Sequence, residues 1–181
     1  VLLSLATLAV MGGGGLCLMK FLQDRPLGVA VLGKGDFIEQ AVIGLFSGVI
    51  MAMLAWAVVA SRWMEPLLDR YADIIGPLMP GKPVQILGSV CAGIGEELLF
   101  RGALQHWLGI PLTAMLFVAL HGYLDPRDRR LLTYGLLITG IMLLFGWHAR
   151  EHGLVAPMIA HAAFDLVLID RLVRHWRRRT R

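Results

Sequence analysis

The chain has 181 residues, of which 57% are hydrophobic and only 17% are charged, and its mean hydropathy is +0.68. This composition lies outside the range of soluble globular domains and indicates a membrane protein with several spans. The two cysteines, Cys17 and Cys91, both lie in apolar segments, which excludes a disulfide framework and a zinc-knuckle spacing.

Apolar segments long enough to cross a bilayer, about 17–25 residues, or nearly so, recur along the chain. We therefore predict an all-α fold, a polytopic integral membrane helix bundle with about six transmembrane helices, forming a single membrane domain over 1–181. Gly109, just before Pro111, predicts a tight helical hairpin of the third and fourth spans. The glycine run 12–15 in the first span allows close approach by a neighbouring backbone. The predicted spans are about 1–19, 37–60, 84–108, 110–124, 131–147 and 153–172.

One segment between the second and third spans has a different pattern. Apolar residues recur there at intervals of three and four, with charged residues between them. This amphipathic pattern predicts an interfacial helix over about 64–76, which Pro77 and the prolines after it end.

Lys and Arg are concentrated at 62–82, 127–130 and 171–181. The excess of positive charge on cytoplasmic loops predicts that these segments, and both ends of the chain, face the cytoplasm of a bacterial inner membrane. We expect the basic C-terminal tail, 173–181, to fix topology and attract anionic lipid of the bilayer, and not to bind nucleic acid.

Three charged residues, Glu96, Glu97 and Arg101, lie within the third span. A charge at bilayer depth costs about 2.5–3.5 kcal/mol. Such residues therefore face the bundle interior, where they pair with another group or take part in function. Glu97 and Arg101 are four residues apart on one helix face and predict an ion pair. Glu96 points about 100° away, which predicts a freer carboxylate.

Two later spans carry His121, and His161 with Asp165 one helical turn further on. Counted from the non-cytoplasmic ends of their helices, these residues and Glu96 lie about 12–18 Å deep. Three helices therefore bring two histidines and two carboxylates to similar depths, which predicts a shared site.

A desolvated glutamate beside a histidine can act as general base on a water, while a second imidazole stabilises the developing oxyanion. This set favours peptide-bond hydrolysis without a covalent intermediate and without a cofactor. The alternative on the same residues is a zinc-dependent protease with Glu96, His121 and His161 as ligands. We favour the metal-free interpretation because the site has no i, i+4 pair of histidines. A proton-coupled transporter and a non-catalytic membrane scaffold are alternatives of other classes.

The motifs Glu96-Glu97-x-x-x-Arg101, Phe117-x-x-x-His121 and His161-x-x-x-Asp165 come in this order on successive apolar segments. Over about residues 84–170, the chain resembles the CAAX protease and bacteriocin-processing family, also called the ABI family. The resemblance implies a glutamate-dependent intramembrane endopeptidase with Glu96, His121, His161 and Asp165 as catalytic residues. It implies supporting roles for Glu97, Arg101 and Phe117.

The sequence also departs from the family. Asp165 stands where the CAAX-processing eukaryotic and archaeal members carry Asn, and the six predicted spans are fewer than members of the family commonly have. Both departures favour a bacterial maturation or sorting role, with a membrane-anchored protein or peptide as substrate, over cleavage of prenylated CAAX ends.

Two other motifs compete with this interpretation. The sequence 33–36 matches the G-x-G-D of aspartyl intramembrane proteases, but it lies in a polar turn, and we interpret it as a hairpin turn. The sequence 148–152 matches the H-x-x-E-H zinc motif, but Gly153 follows at once, so we expect no stable helix that presents both imidazoles. The chain has no G-x-S-x-G motif, which disfavours a serine mechanism.

Overall fold

The computed structural model describes residues 1–33 and 35–181, which are 83% helical and include no strand, so the all-α prediction is confirmed. The described residues form nine α-helices and two π-helical segments. In chain order they are α1 (Leu2–Thr7), a π-helical segment (Leu8–Gly12), α2 (Gly13–Phe21), α3 (Leu27–Leu32), α4 (Phe37–Val59), α5 (Glu65–Leu78), α6 (Lys82–Glu97), a second π-helical segment (Leu98–Leu104), α7 (Gln105–Leu120), α8 (Arg129–Glu151) and α9 (Val155–Arg179).

Four helical stretches are long and apolar enough to cross a membrane: Leu2–Phe21, Phe37–Val59, Lys82–Leu120 and Arg129–Glu151. They identify an integral membrane protein, but the predicted count of six spans is not confirmed. The third stretch contains two of the predicted spans. The sixth predicted span is not among the four, because α9 carries two histidines and many charged residues.

The third stretch folds back on itself at Gly109. This glycine has φ 71° and lies outside the helical region. The ring centroids of Phe100 and Phe117 are 4.9 Å apart, whereas a straight helix would separate them by about 25 Å. The tight helical hairpin predicted at this glycine is therefore present.

Helix α9 packs against α4, α5, α6 and α8. Small residues allow its backbone to come close to two of these neighbours. Gly44 and Gly48 of α4 face the backbone of α9 at Ala156 and Ala160, and Gly93 of α6 faces it from another direction. Close helix approach through small residues is common in membrane bundles. It brings the middle of α9 next to the end of α6.

The N-terminal helix supports the same region of α6. Gly12 lies against Gly95, and Gly15 lies against the backbone of Leu98 and Leu99. The close approach predicted for this glycine run is thus observed. A side chain at Gly15 would clash with the Leu98 backbone and push the first helix away from the segment that carries the buried charges.

Helix α5 packs against the C-terminal part of α9. We call this end of the bundle, formed by α5, the start of α6 and residues 170–181, the basic end. The segment predicted as a basic tail, 173–181, is helical as far as Arg179. It continues α9 because His175 and Arg179 find carboxylate partners on α5. The predicted position of α5 in the membrane interface stays a prediction.

Candidate active site

The predicted site residues come together from three parts of the fold. Glu96 and Glu97 are the last residues of α6, and Arg101 lies in the π-helical segment that follows. His121 caps the C-terminus of α7, and α9 carries both His161 and Asp165. Single-turn π insertions are frequent at functional sites, and this one directly follows the paired glutamates.

Glu97 lies at the centre of a buried charged network. Arg101 Nη1 donates to Glu97 Oε1 over 2.9 Å, and the two side chains are 1% and 0% exposed. Arg101 Nη2 also lies 2.8 Å from the sulfur of Met142 on α8. The guanidinium stacks over the Phe117 ring at 4.9 Å. The predicted ion pair is therefore present, and it joins α6 to both α7 and α8.

Glu97 also holds a histidine. His161 Nδ1 lies 2.7 Å from Glu97 Oε1, and because an ionised carboxylate only accepts, this nitrogen donates its hydrogen. Its position one turn beyond His161 on α9 predicts that Asp165 orients either this ring or the substrate carbonyl. Asp165 Oδ2 lies 3.7 Å from His161 Nε2, which is too long for a hydrogen bond. Glu97 bonds the ring because α6 approaches its other edge closely, and the role of Asp165 stays a prediction.

His121 is fixed by its own helix. Its Nδ1 donates to the carbonyl oxygen of Phe117 over 2.7 Å, and its ring stacks on the Phe117 ring with centroids 4.3 Å apart. Because a backbone carbonyl only accepts, the neutral ring carries its hydrogen on Nδ1. Nε2 is then left as an acceptor, and it points towards Glu96. Phe117 thus contacts the ring through both its carbonyl oxygen and its side chain, and its supporting role stays a prediction.

Glu96 faces both imidazoles. Its Oε2 lies 3.7 Å from His121 Nε2 and 3.9 Å from His161 Nε2. Neither separation is a direct hydrogen bond, and among the described residues this buried oxygen has no hydrogen-bond partner. Glu96 therefore has both imidazoles close by without being bonded to either. The predicted division between a held Glu97 and a freer Glu96 matches this geometry.

A cavity of about 280 Å³ opens beside these residues. Its polar wall contains Glu96, His121, His161 and Asp165, and much of the remaining lining is apolar or aromatic. Sequence reasoning missed three tyrosines in this lining, whose rings contact one another with centroids 5.2–6.5 Å apart. Nothing in their spacing along the sequence marks them as neighbours. They lie on α5, in the loop after α7 and on α8: Tyr71, Tyr123 and Tyr134.

The two competing motifs lie at the opposite end of the bundle from the basic end. Gly33 ends α3 with φ 60°, and Asp36 caps α4 by accepting from the Ile38 amide at 3.1 Å, while Lys34 between them lies outside the described residues. This geometry agrees with a turn, in which Asp36 serves as the N-cap of α4.

The expectation for the H-x-x-E-H motif was wrong. Helix α8 continues to Glu151, and the rings of His148 and His152 are 5.7 Å apart. Gly153, with φ 126°, follows the C-cap and ends the helix after the motif and not before it. Even so, in the part of the chain that is described, no three His, Cys, Asp or Glu side chains are arranged to hold a metal ion.

Residues 82–167, which contain every residue of the site, match the family model described as Type II CAAX prenyl endopeptidase Rce1-like. This segment belongs to the CAAX protease and bacteriocin-processing family. No curated protein and no solved structure matches the chain. Membership of the CAAX protease and bacteriocin-processing family implies a peptidase that acts in the membrane. The roles of the individual site residues stay predictions.

Proposed function

We propose that the chain is an intramembrane endopeptidase of the glutamic type, in which Glu96 activates a water molecule. One observation carries the proposal: Glu96 Oε2 faces the Nε2 atoms of His121 and His161 at 3.7 and 3.9 Å. The Glu96 side chain is only 13% exposed. A carboxylate in such surroundings, within one water of its partners, suits a general base.

The reaction follows from the hydrogen-bonding roles of these groups. Glu96 takes a proton from the water, while the Nε2 lone pair of His121 accepts the other hydrogen and orients the oxygen. The water oxygen bonds to the scissile carbonyl carbon, and the carbonyl oxygen becomes an oxyanion. Glu96 then passes its proton to the leaving nitrogen as the carbon–nitrogen bond breaks, giving an amine and a carboxylic acid, which then loses its remaining proton to solvent or to the amine.

His161 is placed to stabilise the oxyanion. With Nδ1 held by Glu97, its Nε2 faces the cavity, and an imidazolium ring would donate from this atom. Asp165, 3.7 Å from the same nitrogen, would stabilise the positive ring by its charge. Glu97 and Arg101 act as positioning residues, because they touch the ring or its partner and not the cavity centre.

We further propose that the reaction needs no metal ion. Tetrahedral zinc, with bonds of about 2.0–2.2 Å, would hold nitrogen and oxygen ligands about 3.4 Å apart. The Glu96–histidine separations of 3.7 and 3.9 Å are longer than this. One water joined by two hydrogen bonds of about 2.8 Å would span about 4.6 Å, so these separations lie between the two values and do not distinguish them. The metal-free proposal is supported instead by the positions of His121 and His161 on different helices, which give no i, i+4 pair of histidines to pre-form a zinc site.

The substrate and its location follow from the membrane setting. We propose that the protein lies in the bacterial inner membrane with both ends of the chain in the cytoplasm, because its basic segments collect at one end of the bundle. The substrate would be a membrane-anchored protein or peptide that enters the cavity with apolar residues. The arginines of the basic end would contact anionic lipid.

The family match favours this proposal over a transporter or a scaffold, since it implies a peptidase. Quantitative proteomics of membranes that express wild-type protein or Glu96→Gln would test the function. New N-termini that appear only with wild type, in proteins with an apolar anchor, are expected. Indistinguishable termini in the two membranes at equal expression would contradict the proposal.

A further inference from the structure

Helix α5 is one wall of the active-site cavity. Five of its side chains line the cavity, among them Tyr71 and Ile75. The cavity volume of about 280 Å³ is at the lower limit of pockets that enclose small molecules, about 300–1,000 Å³. A peptide segment long enough to be recognised on both sides of the scissile bond needs more room. Outward movement of one wall would give this room, and α5 has partly exposed attachments to α9.

These attachments are charged contacts with the end of α9. Asp69 Oδ1 lies 2.7 Å from His175 Nε2, and Arg179 Nη1 lies 3.4 Å from Asp69 and 3.0 Å from Asp73. The four side chains are 27–54% exposed. Exposed ion pairs contribute little individually and are screened by salt. These charged contacts add to the packing of Leu67, Leu68 and Ala72, which are buried, and unlike that packing they are open to competition.

The same stretch of α9 carries a surplus of positive charge. Arg174 pairs with Asp170, and Arg179 pairs with α5. Within residues 1–33 and 35–181, Arg178 and Arg181 have no carboxylate within 4 Å. Clusters of arginines at the edge of a membrane attract anionic phospholipids. A guanidinium binds a phosphate with the same two-pronged geometry that it uses for a carboxylate.

We propose that the arginine cluster of the basic end, the five arginines of 174–181, binds the phosphate groups of anionic phospholipids in competition with Asp69 and Asp73. Arg179 cannot hold a headgroup phosphate and the α5 carboxylates fully at once. Lipid binding therefore weakens the attachment of α5 to α9, and α5 moves outward to widen the cavity. This site goes beyond the proposed function, and only its activity readout depends on that function.

Distance measurement between spin labels tests the movement without any substrate. One label replaces Arg70, an exposed residue of α5, and the other replaces Thr133, an exposed residue of α8. The background carries Cys17→Ala and Cys91→Ala, which removes the native thiols. In vesicles of phosphatidylcholine alone, we expect the short distance of the closed state. Added phosphatidylglycerol is expected to shift the distribution to longer distances.

A third sample, phosphatidylcholine vesicles with inorganic phosphate, separates the two sources of phosphate. A shift with phosphatidylglycerol alone assigns the site to lipid headgroups, and a shift with both assigns it to phosphate groups in general. An unchanged distance in both samples would overturn the proposal.

Variants separate the charge competition from general lipid effects. Asp69→Asn with Asp73→Asn removes the carboxylates that hold Arg179, so the long distance should appear in phosphatidylcholine alone. Arg178→Gln with Arg181→Gln leaves the α5 contacts in place, so the distance should stay short and the response to phosphatidylglycerol should weaken. This second pair tests the proposal even if the first pair folds poorly. A full response to phosphatidylglycerol in the Arg178 and Arg181 variant would also overturn it.

Glu151→Gln is the matched control, because it removes an exposed acid paired with Arg150 at the opposite end of the bundle. It should respond to lipid like wild type. The activity readout is the cleavage rate, which should be at least about fivefold higher in vesicles with phosphatidylglycerol than in phosphatidylcholine alone. A fivefold change is at the lower end of the coupling that is typical between two sites. If no cleavage occurs in any lipid, the proposed function fails, while the label distances still test the lipid switch.

Discussion

The Glu97 carboxylate holds the His161 imidazole in place, with 2.7 Å between Glu97 Oε1 and His161 Nδ1. The same oxygen accepts from Arg101 over 2.9 Å. One buried atom therefore connects the arginine that joins three helices to the histidine that faces the cavity. Changes at Glu97 should affect both folding and chemistry.

Glu97→Gln should lower the free energy of unfolding by about 3 kcal/mol or more, because it leaves the buried Arg101 without a counter-charge. Activity per folded molecule should fall as well, since the His161 ring loses its charged partner. Thermal unfolding in detergent and cleavage by the folded fraction measure the two effects separately. Glu39→Gln, at an exposed position of α4, is the control. Wild-type stability in Glu97→Gln would mean that the network does not support the fold.

Arg101→Ala should reduce the yield of folded protein, since it strands Glu97 in a low dielectric. The double variant Arg101→Met with Glu97→Gln removes both charges at similar volume and should recover much of the lost stability. It should not recover activity, because His161 still lacks its carboxylate. Melting temperatures and cleavage rates of Arg101→Ala, Glu97→Gln and the double variant check this pattern. Recovery of activity together with stability would show that Glu97 acts only on packing.

Several features of this site could be predicted from the sequence because they depend on spacing along one helix. The Glu97–Arg101 pair is i, i+4, and the turn at Gly109 combines a glycine with a nearby proline. The bond from His161 to Glu97 could not be predicted in this way. It depends on how α9 is rotated against α6, and this rotation is set by small residues such as Gly93 at the contact.

The basic end shows the same limit. The arginines of 173–181 predicted a tail, because the sequence does not reveal that Asp69 and Asp73 of α5 are their partners. Tyr134 likewise reaches the cavity only because α8 packs beside the loop that carries Tyr123. Contacts between distant segments are decided by helix packing, which a single sequence does not encode as a local pattern.

Metal removal tests the choice between the two hydrolytic mechanisms. Prolonged chelation, followed by transfer into metal-free buffer, should leave the cleavage rate unchanged, because Glu96 and His121 activate the water without an ion. Elemental analysis should find well under one equivalent of zinc per active chain. One equivalent of tightly bound zinc, with activity lost on its removal and restored on its return, would establish the zinc mechanism instead.

The rate of Glu96→Gln tests the central claim most directly. The amide has nearly the shape of the carboxylate but cannot take a proton from water, so cleavage should fall by about 10²–10⁴-fold. The comparison uses equal amounts of folded protein in vesicles and a substrate whose cut site is known, with Glu151→Gln as the control of unchanged activity. A Glu96→Gln rate within about threefold of wild type, less than about 1 kcal/mol of barrier, would contradict the role of Glu96 as the general base.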